Sequence, residues 1–297
     1  MIKVSYKGRL GNNLFQYSTG RVLAKRYGYH LSASPVKGFL NTKEEIDGLK
    51  FTTPSTKLRY NKVDLNNLDK KVKNTEGLHI LLRGTFSYYP VLVPHKNEIL
   101  KWFDFDLIDL KSFENRFKVF KNNNYETIPV ENINNNDVLL HIRLGDLLKD
   151  KVKSVTRALY FDYYKIVLER IKFDRLFIIS DSIESEYVKE FNNYNPICLF
   201  DTNAVDTLKF YKSFSRIIMS RSSYAWWGAW LSNAEEIYFP IPENDLWGVN
   251  NIKTDVDLRV NESRYIYVSQ KERKFLGGYD SVKDIYCKNA KIRNVYI

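Results

Sequence analysis

Between residues 141 and 146 the chain reads His141-Ile142-Arg143-Leu144-Gly145-Asp146, which places an imidazole, a guanidinium and a carboxylate within six residues. The preceding run Asp137-Val138-Leu139-Leu140 has the apolar character of a buried strand. The six residues therefore belong at a strand end, where open α/β sheets hold their ligands. Arg143 supplies a permanent cation whose planar fork suits two oxygens of a phosphate. Gly145 allows a sharp turn or a close approach by a ligand. Asp146 can orient the arginine or cap the next element of the chain. A structural Arg143–Asp146 pair across a tight loop explains the same spacing equally well.

Three further constellations could carry chemistry. Gly8-Arg9-Leu10-Gly11-Asn12-Asn13 precedes an apolar helical pattern, so its backbone N–H groups could meet an anion. Asn12, Asn13 and Gln16 add neutral groups suited to sugar hydroxyls or phosphate, although a plain strand-to-helix turn with an asparagine cap fits too. Ser180-Asp181-Ser182 follows the apolar run 176–179, and its carboxylate could accept from a base or a ribose, or simply cap a helix. Ser220-Arg221-Ser222-Ser223 stands before a helical stretch, offering hydroxyls and orphan N–H groups to a phosphate. Trp226, Trp227 and Trp230 read as core, because three within five residues cannot all face one ligand. Asp104-Phe105-Asp106 and Asp255-Val256-Asp257 have the short Asp-x-Asp form and read as solvated loops. No histidine and cysteine cluster has metal-ligand spacing, so no metal site is expected.

These residues need elements to hold them. Ile2, Val4 and Tyr6 alternate as in a strand, Leu14 to Leu23 carry helical spacing, Gly28 ends that helix, and a second strand follows at 30–33. Strands are expected at 78–82, 138–142, 176–179 and 237–239, the last closed by Pro240. Helices are expected over parts of 95–118, then at 160–171, from 206 toward 218, and at 224–231. Alternation of this kind implies an α/β fold with a mainly parallel sheet. The asparagine-rich stretch 121–136, with Pro129, is the expected linker between a domain 1–128 and a domain 129–297.

The composition narrows the partners. An apolar share of 44% in 297 residues provides for a sizeable core and argues against disorder. Lysine and arginine total 46 against 35 acidic residues, a net charge of +11, which favours an acidic ligand and contact with an anionic membrane face. The charge is not gathered into an arginine-rich block, so nucleic acid is not an expected partner. Cys198 and Cys287 lie far apart and imply neither a disulfide framework nor zinc. With neither a signal peptide nor an apolar run long enough to span a bilayer, a cytoplasmic location is expected, peripheral to a membrane at most.

Taken in order, the segments resemble the α-1,2-fucosyltransferase family, glycosyltransferase family 11, over residues 1–250. The family's opening G-G-L-G-N-Q-M-F-Q-Y is similar to Gly8-Arg9-Leu10-Gly11-Asn12-Asn13-Leu14-Phe15-Gln16-Tyr17. Its H-x-R-x-G-D matches His141 to Asp146, and its S-D-D-like strand end resembles Ser180-Asp181-Ser182. Its S-S-F-S-W-W-A-A-W-L is similar to the stretch from Ser222 to Leu231. Arg9, Asn13, Ser182 and Ala225 depart from those patterns, and residues 255–297 match none.

The resemblance implies a GT-B architecture of two Rossmann-like domains facing across a cleft. It implies a GDP-fucose donor, a glycan acceptor, inversion at the sugar carbon, and no metal or other cofactor. By the same resemblance Arg143 would bind the diphosphate, Ser222 and Ser223 would add phosphate contacts, and Asp181 would face the guanosine. Asn12 and Asn13 would lie near the sugar or acceptor. His141 and Asp146 are the candidates nearest in sequence for acid–base work, with neither assigned as the base. A GT-B enzyme using another nucleotide-deoxysugar, and a non-catalytic glycan- or nucleotide-binding relative, remain open alternatives.

Overall fold

The computed structural model describes residues 1–42, 57–60, 65–74, 78–145, 159–241, 258–270 and 272–282. Asp146, Asp255, Asp257 and Cys287 lie outside the described residues. Two compact α/β units account for the chain: Met1–Phe105 with two later segments, and Asp106–Asn244 with Val260–Asp284. No described helix is long and apolar enough to cross a membrane.

The first unit holds a parallel sheet of four strands, β1 (Ile2–Val4), β2 (Leu31–Ser32), β3 (Lys57–Tyr60) and β4 (His79–Leu82), in the order β2-β1-β4-β3. Helix α1 (Leu10–Tyr27) carries the chain from β1 to β2. It closes at Gly28, whose φ of 63° is the left-handed conformation a helix end requires. Gly20 is the point of closest approach to the sheet: an added Cβ would stand 2.4 Å from a methyl of Val4. Short helices α2 (Leu65–Lys73), α3 (Tyr89–Leu92) and α4 (Lys96–Trp102) complete this unit.

The second unit is built on a nine-stranded sheet. Its strands are β5 (Phe117–Lys121), β6 (Asn124–Thr127), β7 (Val138–Ile142), β8 (Leu176–Ser180), β9 (Ile197–Leu199), β10 (Arg216–Ile218), β11 (Glu236–Ile241), β12 (Tyr265–Ser269) and β13 (Lys274–Gly277). The order is β13-β12-β11-β10-β7-β8-β9-β5-β6. From β12 to β9 every pairing is parallel, while β13 and the β5–β6 hairpin add antiparallel edges. The connecting helices are α5 (Phe161–Leu168), α6 (Glu186–Lys189), α7 (Ala204–Phe210) and α8 (Ser223–Leu231). All five residues of β7 are buried, as a continuous apolar run in the middle of a parallel sheet should be.

Four local expectations change. The stretch 121–136 begins as a hairpin rather than a linker. Asn122 and Asn123 both take left-handed φ, 49° and 64°, which is the tight turn that matches strand twist. Because β5 pairs with β9, the hairpin joins the larger sheet, and the units divide after Phe105 rather than after residue 128. Pro240 does not close β11, which runs on to Ile241. The even-numbered N–H groups of β11 face β10, as Glu236 N–H does toward Ser215, and the β10 ladder has already ended opposite Tyr238. The missing donor of Pro240 thus falls where that ladder has run out, while β11 continues beside β12 through Ile241. Tyr160, the first residue of the helix expected at 160–171, is instead the 56% exposed N-cap of α5. The unmatched C-terminal region contributes β12 and β13 to the larger sheet.

Cys198 is a buried thiol on β9, and burial pushes its pKa up to about 12. It is a packing residue rather than a nucleophile.

At the amino ends of β7 and β8 the Asp137 carboxylate is fully buried. Arg175 grips it through Nε at 3.0 Å and Nη2 at 2.5 Å, and the Asn134 N–H donates to it at 2.7 Å. Removing one partner of a buried pair leaves an uncompensated charge. Arg175→Ala is expected to lower unfolding stability by about 3 kcal/mol in urea titration. An unchanged midpoint would contradict the role given to this pair.

Candidate functional site

From β7 the chain steps to β8 and β9 on one side, then returns through β10 to the other. The loops after β7 and β10 thus leave adjacent parallel strands in opposite directions. Such a reversal opens a crevice at the carboxyl ends, the usual ligand position in this architecture. Arg143, Leu144 and Gly145 follow β7, while Met219 to Ser222 follow β10 and lead into α8.

The register places Ile142 opposite Ser180, so Arg143 and Asp181 are each one residue beyond the last pair. One carboxylate oxygen of Asp181 accepts from the Leu144 N–H at 2.8 Å. The other lies 3.3 Å from Arg143 Nε. Gly145 sits against the same carboxylate, and a Cβ there would come within 2.3 Å of its Oδ2. The partner expected for Arg143 from spacing was Asp146, which lies outside the described residues. Asp181, 38 residues along the chain from Arg143, is a partner that sequence spacing did not single out. Both side chains are part-exposed, 19% for Arg143 and 27% for Asp181, so the pair borders solvent.

His141 is the fourth residue of β7 and is 6% exposed. Its Nδ1 lies 2.5 Å from Ser220 Oγ, which ties the end of β7 directly to the loop after β10. Its ring stands beside those of Tyr211 and Tyr224, with centroids 6.4 and 5.8 Å away. Its carbonyl accepts from the Tyr164 hydroxyl at 3.2 Å, and burial holds that phenol protonated by raising its pKa. Ser220, itself 1% exposed, was one of several serines in the sequence pattern, and nothing marked it as the histidine's partner.

Ser222 is the N-cap of α8, its hydroxyl accepting from the Tyr224 N–H at 3.2 Å. Ser223 is the first residue of the helix, and Arg221 immediately precedes the N-cap. Behind them Trp226, Trp227 and Trp230 are fully buried, as expected, with ring centroids 4.9 to 5.5 Å apart. Gly228 lets α8 lie on the Tyr211 ring, 2.6 Å from where a Cβ would be. At the other end of α8, Arg264 donates to the carbonyls of Trp230, Ser232 and Ala234. Glu262 holds both Arg264 and the Trp230 indole N–H.

The glycine loop belongs to the first unit. Helix α1 starts at Leu10, so Gly11, Asn12 and Asn13 occupy its first turn rather than the loop before it. Asn12 and Asn13 are half-buried there, and Asn12 packs on Gly8, whose φ is 82°. Gln16, expected to offer its amide to a ligand, is instead fully buried. It accepts from the Lys7 N–H at 3.0 Å and donates to the Lys7 and Gly84 carbonyls at 3.1 and 2.9 Å. Its task is to fix the loops after β1 and β4.

The sequence-derived residues thus divide. Arg143, His141, Asp181, Ser222 and Ser223 gather around the reversal in the larger sheet. Asn12 and Asn13 belong to the first unit. Asp104 and Asp106 are exposed, as expected of a solvated loop.

The chain is 29% identical over 211 residues to the O-antigen biosynthesis glycosyltransferase WbnK of Escherichia coli, a match covering 66% of this chain and 64% of that protein. It is 31% identical over 107 residues to an alpha-1,2-colitosyltransferase of Escherichia coli, covering 33% of this chain and 37% of that protein. The chain therefore spans less than two thirds of either curated relative. No family model matches it, and no solved structure matches it.

Gln16→Ala would leave the Lys7 N–H and two carbonyls without their buried partner. A loss of about 2–3 kcal/mol in denaturant unfolding is expected. A variant as stable as the parent would show that the amide does not hold these loops.

Proposed function

We propose that the protein is a glycosyltransferase that moves a deoxysugar, L-fucose first among the candidates, from its GDP ester to a glycan hydroxyl. The acceptor position is O2 of a galactose-type residue, and the reaction inverts the sugar carbon without a metal. The observation that carries the reading is the β7–β10 reversal, with the Arg143 guanidinium on one side and the first turn of α8 on the other. The sequence resemblance and the two transferases named above support the same reading.

The chemistry is dictated by charge. As the bond from the sugar carbon to the diphosphate breaks, negative charge grows on the departing oxygens while the sugar becomes cationic. Donors set in advance where that charge develops are the largest catalytic contribution available. In this proposal Arg143 and the positive end of the α8 dipole supply them. Ser222 stabilises that turn, and Ser223 adds a hydroxyl. His141, buried against Ser220, acts by holding the loop after β10 to the end of β7. Asn12 and Asn13, in the first turn of α1, are the first unit's candidates for contact with the sugar or acceptor. Acceptors borne on a lipid would bring this cationic chain to an anionic membrane face.

A second donor is favoured by one specific observation. One relative is named an alpha-1,2-colitosyltransferase, which supports a deoxysugar other than fucose as the second donor in this proposal.

Thermal-shift measurements with GDP, UDP and dTDP separate the nucleotide classes, because a ligand that binds only the folded state raises the melting temperature. GDP is expected to stabilise the protein. Stabilisation by UDP alone removes the fucosyl reading. Incubation with GDP-fucose and galactose-terminated acceptors, with the product linkage read by NMR, then tests transfer. Arg143→Ala is expected to lower kcat by about 10²-fold or more at saturating donor. Wild-type turnover in that variant would refute its role.

A further inference from the structure

We propose that Asp181 is a positioning residue that acts on a bound diphosphate through Arg143, and not a group that reads the base or ribose. The inference rests on the reading of Arg143 as the diphosphate ligand. Three observations carry it. The Asp181 carboxylate uses one oxygen on the Leu144 N–H and turns the other to Arg143 Nε. Gly145 closes on the same group, leaving no room for even one added carbon. The strand register sets Arg143 and Asp181 side by side, one step past the last β7–β8 pair.

Each contact has a consequence for binding. The hydrogen bond to Leu144 fixes the backbone from which Arg143 projects. The carboxylate oxygen 3.3 Å from Nε, an ion pair without a hydrogen bond, draws the guanidinium to the β8 side of the strand tip, and a planar fork grips two phosphate oxygens only when it is well placed. A carboxylate that reads a nucleobase or ribose edge presents its oxygens to the ligand. This one is turned onto its own neighbouring loop.

The test is a double-mutant cycle on Asp181 and Arg143, read by the affinities of GDP, inorganic pyrophosphate and guanosine. Asp181→Asn keeps an oxygen for the Leu144 N–H and removes the charge beside Arg143; Asp181→Ala removes both. Each is expected to weaken GDP and pyrophosphate by about tenfold, within the range seen for directly coupled side chains. Guanosine affinity should not change. In an Arg143→Ala background neither substitution should weaken GDP further. A parallel loss of guanosine affinity, or a full additional loss in that background, overturns the inference and returns Asp181 to the nucleoside. Should Asp181→Ala fail to fold, Asp181→Asn decides on the same ligands. Undiminished GDP affinity in Arg143→Ala alone is a different result: it defeats the diphosphate reading itself. Wild-type protein that binds neither GDP nor pyrophosphate overturns both.

Discussion

One carboxylate at the tip of β8 fixes the geometry of the candidate site. Asp181 sits where two parallel strands run out of partners, and it takes the place of the next backbone pairing. It accepts the Leu144 N–H as the chain leaves the sheet, and it stands beside the Arg143 guanidinium. The contact forms because β7 and β8 pair in a register that ends both strands together. Gly145 is then required by sterics: the loop passes so near the carboxylate that a side chain cannot stand there. Arginine, glycine and aspartate thus become one unit, although the aspartate comes from another strand.

The opposite side of the crevice is built by burial rather than charge. Three tryptophans of α8, each fully buried, fix the helix against the sheet, and Gly228 brings it onto Tyr211. Arg264 places a cation against the last carbonyls of that helix, complementing the negative end of its dipole. The first turn of α8 is therefore held from behind. The His141–Ser220 contact ties it sideways to β7. The segment after residue 258, which resembled nothing by sequence, supplies Arg264, Glu262 and the strand β12, and so supports the helix whose first turn borders the crevice.

Elements whose local pattern and burial agree were legible in the sequence. The run at 138–142 is apolar because it is covered on both faces, and the tryptophans are core because α8 is buried throughout from Ala225 to Leu231. The misread elements share a different cause. Asn122 and Asn123 look like linker residues, yet asparagine is also a residue that tolerates the left-handed turn of a tight hairpin. Pro240 looks like a strand end, yet whether a missing N–H matters depends on where the neighbouring strand stops. Gln16 looks like a ligand-binding amide, yet its partners are backbone groups of two separate loops. The partnership of Arg143 with Asp181 was hidden in the same way. Spacing offers Asp146, whereas strand order and register supply Asp181. Residue type reveals which groups can do chemistry, but long-range pairing decides which of them meet.

The Arg143–Asp181 pairing raises a question of balance, since a carboxylate beside an arginine opposes the anion the arginine is meant to bind. The opposing effect is entropic. An arginine side chain carries about 2 kcal/mol of rotamer freedom, all of which a ligand must otherwise remove when it takes the fork. Asp181 removes part of that freedom during folding. Its contact is at Nε, the inner edge of the guanidinium. Positive potential lost to the carboxylate is restored from the other bank, where the start of α8 contributes its dipole and Arg221 a further cation. Orientation is thus gained at one strand end and charge at the next. That division of labour is possible because the sheet reverses its winding between β7 and β10.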